Sequence, residues 1–226
     1  MKIAVLGTGM VGQALAGRLA ELGHEVTVGT REVAATMART EPDGIGNPPF
    51  PAWAATHPTV TLATFAEATA NAELIVNATS GNVSIAALTA AGTDNLAGKV
   101  LLDMSNPLDY SGGFPPTLFV KDTDSLGEQI QAAFPDLKVV KALNTLTAAL
   151  MVNPHHLADG GHSVFVAGND ADAKVTVTAL LEAFGHTDVI DLGNITSDRG
   201  TEMYLPLWLR LMGSLNTPFF NLKVVR

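Results

Sequence analysis

Short runs of β-branched and aliphatic residues recur along the chain with longer alanine-rich stretches between them, the pattern of βα units stacking on a parallel sheet. The spacing predicts strands over residues 2–6, 25–29, 59–62, 73–78, 99–103, 138–143, 163–167 and 188–191. Near-continuous apolar runs such as Leu74-Ile75-Val76 and Val164-Phe165-Val166 suit strands covered by helices on both faces. Between them, residues 10–22, 31–39, 83–91, 125–134 and 171–184 read as helices, with Asp170 or Asn169 as the N-cap of the last.

Two stretches break this rhythm. Residues 42–58 hold five of the twelve prolines, and residues 107–116 add three more beside Gly112 and Gly113, so both read as irregular loops, either binding-site walls or surface insertions. From Asp198 onward the alternation stops. Residues 201–214 read as one helix that is apolar on most sides, with Pro206 kinking it or fixing its first turn. Such a helix either closes the core of its own chain or packs against a second subunit, and a homodimer is the expected assembly. The expected fold class is α/β, a doubly wound and mostly parallel sheet with a short C-terminal helical segment. One compact unit is expected over 1–226, with a dinucleotide-binding portion at 1–142 and a portion at 143–226 that closes a second cleft.

Composition narrows the function. A length of 226 residues with 47% hydrophobic and 15% charged residues excludes disorder and supports a sizeable core. The net charge of −9, with no basic run, leaves a nucleic-acid backbone nothing to hold. The absence of cysteine removes disulfides, thiolate nucleophiles and Cys-ligated zinc together. Gly7 interrupts the N-terminal apolar run far short of a secretory core, and no stretch reaches the roughly 18 apolar residues of a membrane span. The expectation is a soluble, cytoplasmic protein whose mature chain starts at Met1.

The chemistry is carried by the first strand and the turn after it. Gly7-Thr8-Gly9-Met10-Val11-Gly12 stands between a strand and an alanine-rich helix. Gly7 permits the tight turn, Gly9 lets a pyrophosphate approach the backbone, and Gly12 lets helix and strand pack closely. The helix N-terminus then offers free amides and partial positive charge to the phosphates. At the end of the second strand an NAD site wants a carboxylate, whereas this chain has Gly29-Thr30-Arg31. A hydroxyl and a guanidinium suit a 2′-phosphate, which selects NADP(H). Later strand exits place Ala78, Thr79, Asn106 and Pro107 along the cofactor's path, because ligands of open parallel sheets bind beyond the carboxyl ends of strands.

Other chemistry is poorly supplied. No G-x-S-x-G or H-E-x-x-H occurs, His155-His156 reads as a loop cap rather than a metal pair, and no metal is expected. Asp103, Asp109 and Asp191 sit near strand ends without a recognisable acid or base partner and read as structural. Lys141 is either a proton relay or the structural partner of a carboxylate.

The segment 7–31, read with Val139-Val140-Lys141-Ala142-Leu143-Asn144-Thr145, Arg199-Gly200-Thr201-Glu202-Met203 and Phe220-Asn221-Leu222-Lys223-Val224-Val225, resembles the F420-dependent NADP oxidoreductase family over nearly the whole chain. The resemblance implies a Rossmann-type sheet with NADP across the glycine turn. It also implies a deazaflavin, coenzyme F420, over the nicotinamide in a cleft near the C-terminal segment. Hydride then passes directly between two rings, which needs alignment more than it needs an acid or base, and no acid or base is expected to take part. Asn144 would lie beside the acceptor. Members that use the deazaflavin carry histidine there, while the related cytoplasmic domain of six-transmembrane metalloreductases carries the Phe/Leu-Asn-Thr pattern and works with flavin. The acceptor is therefore coenzyme F420, a flavin or another small oxidant. Two further readings remain open: a reductase or dehydrogenase of a small carbonyl or imine, and a non-catalytic NADP sensor.

Overall fold

The computed structural model describes residues 1–43 and 46–226. Its strands are β1 (Lys2–Leu6), β2 (Glu25–Thr30), β3 (Thr61–Thr64), β4 (Leu74–Asn77), β5 (Val100–Asp103), β6 (Leu108–Asp109), β7 (Thr117–Leu118), β8 (Lys138–Ala142), β9 (Val164–Gly168) and β10 (Val189–Asp191). Eight of them form one sheet in the order β10-β9-β8-β5-β4-β1-β2-β3. From β3 to β8 every pairing is parallel, which is the order of a Rossmann sheet with β8 as its sixth strand. β9 then turns antiparallel to β8, and β10 runs parallel to β9. The order reverses between β1 and β4, so a crevice opens at their carboxyl ends.

Alternation along each strand divides the core into two layers. Ile3 and Val5 of β1, Leu74 and Val76 of β4, and Val140 and Ala142 of β8 pack on one face with Leu15, Leu19, Leu150, Val177 and Phe184. Ala4, Leu6, Ile75 and Val139 point the other way, against Phe65, Leu88, Leu126, Ile130 and Phe134. Helices therefore cover both faces, as the unbroken apolar runs require. Helix Ala171–Phe184 has the expected bounds. The Asp170 side chain accepts from Ala173 N, and Gly185 ends the helix in the left-handed region.

Both proline-bearing stretches carry regular structure, contrary to the expectation of irregular loops. Helix Phe50–Ala54 starts at Pro49 and places Pro51 in its first turn, where a missing N–H costs nothing. Phe50 is buried, and Trp53 stacks on His57 at 4.2 Å beside Gly17 of helix Met10–Glu21. In the second stretch β6 and β7 pair antiparallel as a short ribbon. Helices Phe65–Ala70, Thr93–Leu96 and Ala148–Val152 are additional to those the pattern predicts. The first carries a capping box between Thr64 and Glu67 that its T-x-x-E spacing announces.

The late segment forms two helices, Asp198–Met203 and Leu205–Leu215, rather than one. Pro206 lies in the first turn of the second and so fixes its start. Leu205 and Leu209 are buried, while Leu207 and Leu215 stay exposed, so the helix covers its own chain with one face only. Beyond it the tail clips onto the sheet: Ser163 N donates to Leu222 O, Val224 N donates to Ser163 Oγ, and Lys223 and Arg226 pair with Asp188.

Candidate functional site

The turn after β1 is built as its glycines require. Gly7 has φ +122°, and a Cβ there would come within 2.6 Å of the Ala78 carbonyl oxygen. A Cβ on Gly12 would run into the Gly7 carbonyl, so these two glycines serve close packing. Gly9 differs, because a Cβ there meets nothing within 4 Å and points into open space. As N-cap of helix Met10–Glu21, Gly9 leaves the first amides without a side-chain cap. An open approach to uncapped amides at a helix start fits a pyrophosphate.

Two openings meet at this turn and share Gly9, Ala78, Thr79 and Ser80. The first, of about 560 Å³, runs past Thr8 and the end of β2. Arg31 and Arg39 both line it, and Arg39 Nη1 donates to Thr8 Oγ1 at 3.0 Å. Sequence pattern alone does not single out Arg39, since it follows the short helix Val33–Met37 and only the fold brings it back to the glycine turn. Thr30 lines the groove too, and its buried hydroxyl is hydrogen-bonded to Thr36 Oγ1 at 2.7 Å. Glu32 brings a carboxylate to the same groove and spends both oxygens on Ala34 N and Ala35 N, capping the helix. No other acid among the described residues lines this groove.

The second opening is a cleft of about 1180 Å³. Met10, Val11, Ser105 and Asn106 form its floor, Asp109, Tyr110 and Phe119 come from the β6–β7 ribbon, and Gln129 and Asp43 complete the rim. Asp109 is thus a cleft residue rather than a purely structural one, and Ser111 N donates to it at 2.9 Å, which holds its carboxyl below the ordinary aspartate range. The ribbon is hidden in the sequence because the prolines around it mask a two-residue strand. Pro107 lines neither opening and instead accepts from Phe119 N at 2.9 Å, closing the ribbon.

Asn144 is buried and lines neither opening. Its Nδ2 donates to Asn106 Oδ1 at 3.0 Å, and Asn106 Nδ2 donates back to Asn144 O at 2.8 Å. Asn106 faces the cleft, and Asn144 holds it there from one residue behind the lining.

Behind the floor lies a buried ionic cluster. Lys141 Nζ contacts Asp103 Oδ2 at 2.6 Å, Glu202 Oε1 at 2.8 Å and Ser105 O at 2.8 Å. The sequence leaves Asp103 without a visible partner, and β8 lying next to β5 supplies it. Its other oxygen accepts from Asn77 Nδ2 at 2.8 Å and Ser105 Oγ at 2.8 Å, while Asn77 Oδ1 accepts from Thr79 Oγ1 at 2.7 Å. Glu202 also accepts from Leu126 N at 2.8 Å and Gly127 N at 3.1 Å. The cluster thus ties the late helices to both the cleft floor and the shared Ala78–Ser80 wall. Burial would lower the Lys141 pKa, but Asp103, Glu202 and Asp198 more than offset it and hold the ammonium above the ordinary lysine range. Burial pushes the Asp198 carboxyl up to about 8, with Lys141 opposing and Glu202 and Asp103 adding to the rise. Lys141 is therefore the carboxylate partner of its two readings.

His155 and His156 turn back on their own loop, through the Asp159 carbonyl and the Asn153 side chain, and Asp191 pairs with Lys174 at 2.8 Å. Among the described residues no three His, Asp or Glu side chains converge as metal ligands. No helix among them is long and apolar enough to cross a membrane.

A Rossmann sheet with an open glycine turn and a basic groove at the end of β2 defines a dinucleotide-binding protein. The family described as "NADP oxidoreductase coenzyme F420-dependent" matches residues 2–107. A crystal structure from Arthrobacter sp. FB24, provisionally described as an F420-dependent NADP-reductase, superposes with a TM-score of 0.96 at 62% identity, covering 100% of both chains. The F420-dependent NADP reductase of Methanothermobacter marburgensis is 28% identical over 222 residues, 93% of this chain and 92% of its own length. Metalloreductase STEAP3 of Rattus norvegicus is 30% identical over 218 residues, 96% of this chain, and this chain spans only 38% of that protein. The chain belongs to the F420-dependent NADP oxidoreductase family.

Proposed function

We propose that this protein binds NADP(H) across its glycine turn and passes a hydride between it and a deazaflavin or flavin ring held in the larger cleft. The observation that carries this reading is the meeting of two openings of different character at Gly9 and Ala78–Ser80. When bound, NADPH supplies two electrons and a proton as hydride from nicotinamide C4, and a solvent proton completes the reduced acceptor ring. The uncapped amides after Gly9 hold the pyrophosphate, and Arg31 with Arg39 meets the 2′-phosphate by charge-assisted hydrogen bonds. Ala78 and Thr79 form the wall common to both ligands, with Thr79 fixed through Asn77. Asn106, pinned by Asn144, offers an amide to the acceptor. The portion at 143–226 supports the cleft from behind, through Glu202 and Asn144, since no described lining residue lies beyond Gln129.

No charged side chain need exchange a proton in this scheme, because alignment of two rings about 3 to 3.5 Å apart supplies the catalysis. The test is a stopped-flow screen of NADPH oxidation against coenzyme F420, FMN, FAD, riboflavin and ferric chelates. Rapid two-electron reduction of an isoalloxazine or deazaflavin supports the reading. NADPH binding without turnover of any acceptor would instead leave a dinucleotide sensor.

A further inference from the structure

Within the hydride-transfer reading above, on which this inference rests, we propose that the cleft selects an acceptor whose ring carries an uncharged tail, as riboflavin does, over one with a phosphate or carboxylate tail. The charge of the lining carries the argument. Asp43 and Asp109 are the ionisable acids of the cleft, Tyr110 adds a phenol, and no described lysine, arginine or histidine lines it. Asp109 is held ionised by its hydrogen bond from Ser111 N, and Asp43 accepts from Asn47 N and Nδ2 at 2.8 Å each.

Two of the cations, Lys141 and Arg199, are already committed. Lys141 lies buried beneath Ser105 and is answered by Asp103 and Glu202, so the floor presents no net positive charge. Arg199 donates through Nε to Glu128 Oε2 at 2.8 Å. Lys121 comes after the ribbon but is exposed, lines neither opening, and is succeeded by Asp122 and Asp124. Asp124 in turn accepts from Gln129 Nε2 at 2.9 Å, directly behind the rim. The arginines that can receive an anion stand in the other groove.

What the cleft does offer suits a planar uncharged body. Tyr110 and Phe119 are 59% and 44% exposed on the ribbon, presenting aromatic surface at the mouth, with Met10, Val11 and Met104 below. Asn106 and Gln129 supply amides for ring carbonyls. A phosphate or a string of glutamates on the acceptor would enter a field of its own sign, which lowers both encounter rate and affinity and is screened by salt.

The experiment compares riboflavin, FMN and coenzyme F420 in two readouts: fluorescence-detected binding to the NADP⁺-loaded protein, and kcat/KM for NADPH oxidation. At low ionic strength riboflavin should exceed FMN by about tenfold in both, a ratio typical of one repulsive charge in a partly desolvated site. The ratio should shrink toward one in 0.5 M salt and in Asp109→Lys, with Asp109→Asn intermediate; circular dichroism checks that each variant folds. Binding of FMN or F420 equal to or tighter than riboflavin, or a ratio indifferent to Asp109→Lys, overturns the proposal while leaving hydride transfer intact. Failure of all three acceptors to bind, with NADPH still bound, overturns both.

Discussion

The two openings at the carboxyl edge of the sheet share a wall and differ in sign. The smaller groove carries Arg31 and Arg39, with its one described carboxylate, Glu32, spent on a helix cap. The larger cleft carries Asp43 and Asp109 and no cation among its described lining. In a chain of net charge −9, two arginines at the end of β2 are a local arrangement, made by the short helix Val33–Met37 that returns Arg39 toward Thr8. The Rossmann sheet supplies the shared wall, and the loops leaving different strands decide which ligand each side can accept.

The largest expected effect lies behind the acidic cleft. Lys141→Ala leaves Asp103 and Glu202 buried without their cation and should cost about 3–5 kcal/mol in urea unfolding, the usual result of breaking a buried pair. A loss under about 1 kcal/mol would mean that the cleft floor does not depend on the cluster. Next comes Gly9→Ala, whose new methyl enters open space rather than protein. Melting temperature should hold while NADPH binding by calorimetry weakens by roughly a hundredfold, because the methyl stands where the pyrophosphate must approach. A fall in stability with affinity unchanged would place the dinucleotide elsewhere.

Arg31→Ala sharpens the contrast of sign. Losing a charge-assisted hydrogen bond of roughly 1.5–3 kcal/mol should weaken NADPH about tenfold to a hundredfold while sparing NADH. Equal weakening of both would reduce Arg31 to a support of the fold. The smallest effect is expected for Asn144→Ala, which removes one bond to Asn106 and leaves Asn106 Nδ2 on the Asn144 carbonyl. A stability loss of about 1 kcal/mol with a modest rise in acceptor KM is expected; a collapse of kcat/KM at full stability would put Asn144 in direct contact with the acceptor.

Much of the sheet is legible in the sequence because its central strands are buried on both faces and read as apolar runs, and helix Ala171–Phe184 because Asp170 and Gly185 mark its ends. Less legible are elements whose prolines read as breakers, although Pro51 and Pro206 each sit where a helix begins. The antiparallel turn of β9 leaves no mark in its composition, since a buried strand looks the same in either direction. At the site, the glycine turn and Arg31 are readable because their neighbours in sequence are also their neighbours in space. Arg39, the Asn144–Asn106 pair and Lys141–Asp103 are not, because each depends on strands or loops that meet only in the folded chain.

The central claim is that one opening holds NADPH and the other receives its hydride without passage through solvent. It is tested most directly with NADPH deuterated at each face of nicotinamide C4 in turn and 5-deazariboflavin as acceptor, whose C5 retains a transferred deuterium as a carbon-bound label. The account predicts that one of the two labelled cofactors delivers its deuterium to C5 and the other delivers none. Loss of the label to water, or equal transfer from both faces, would contradict it.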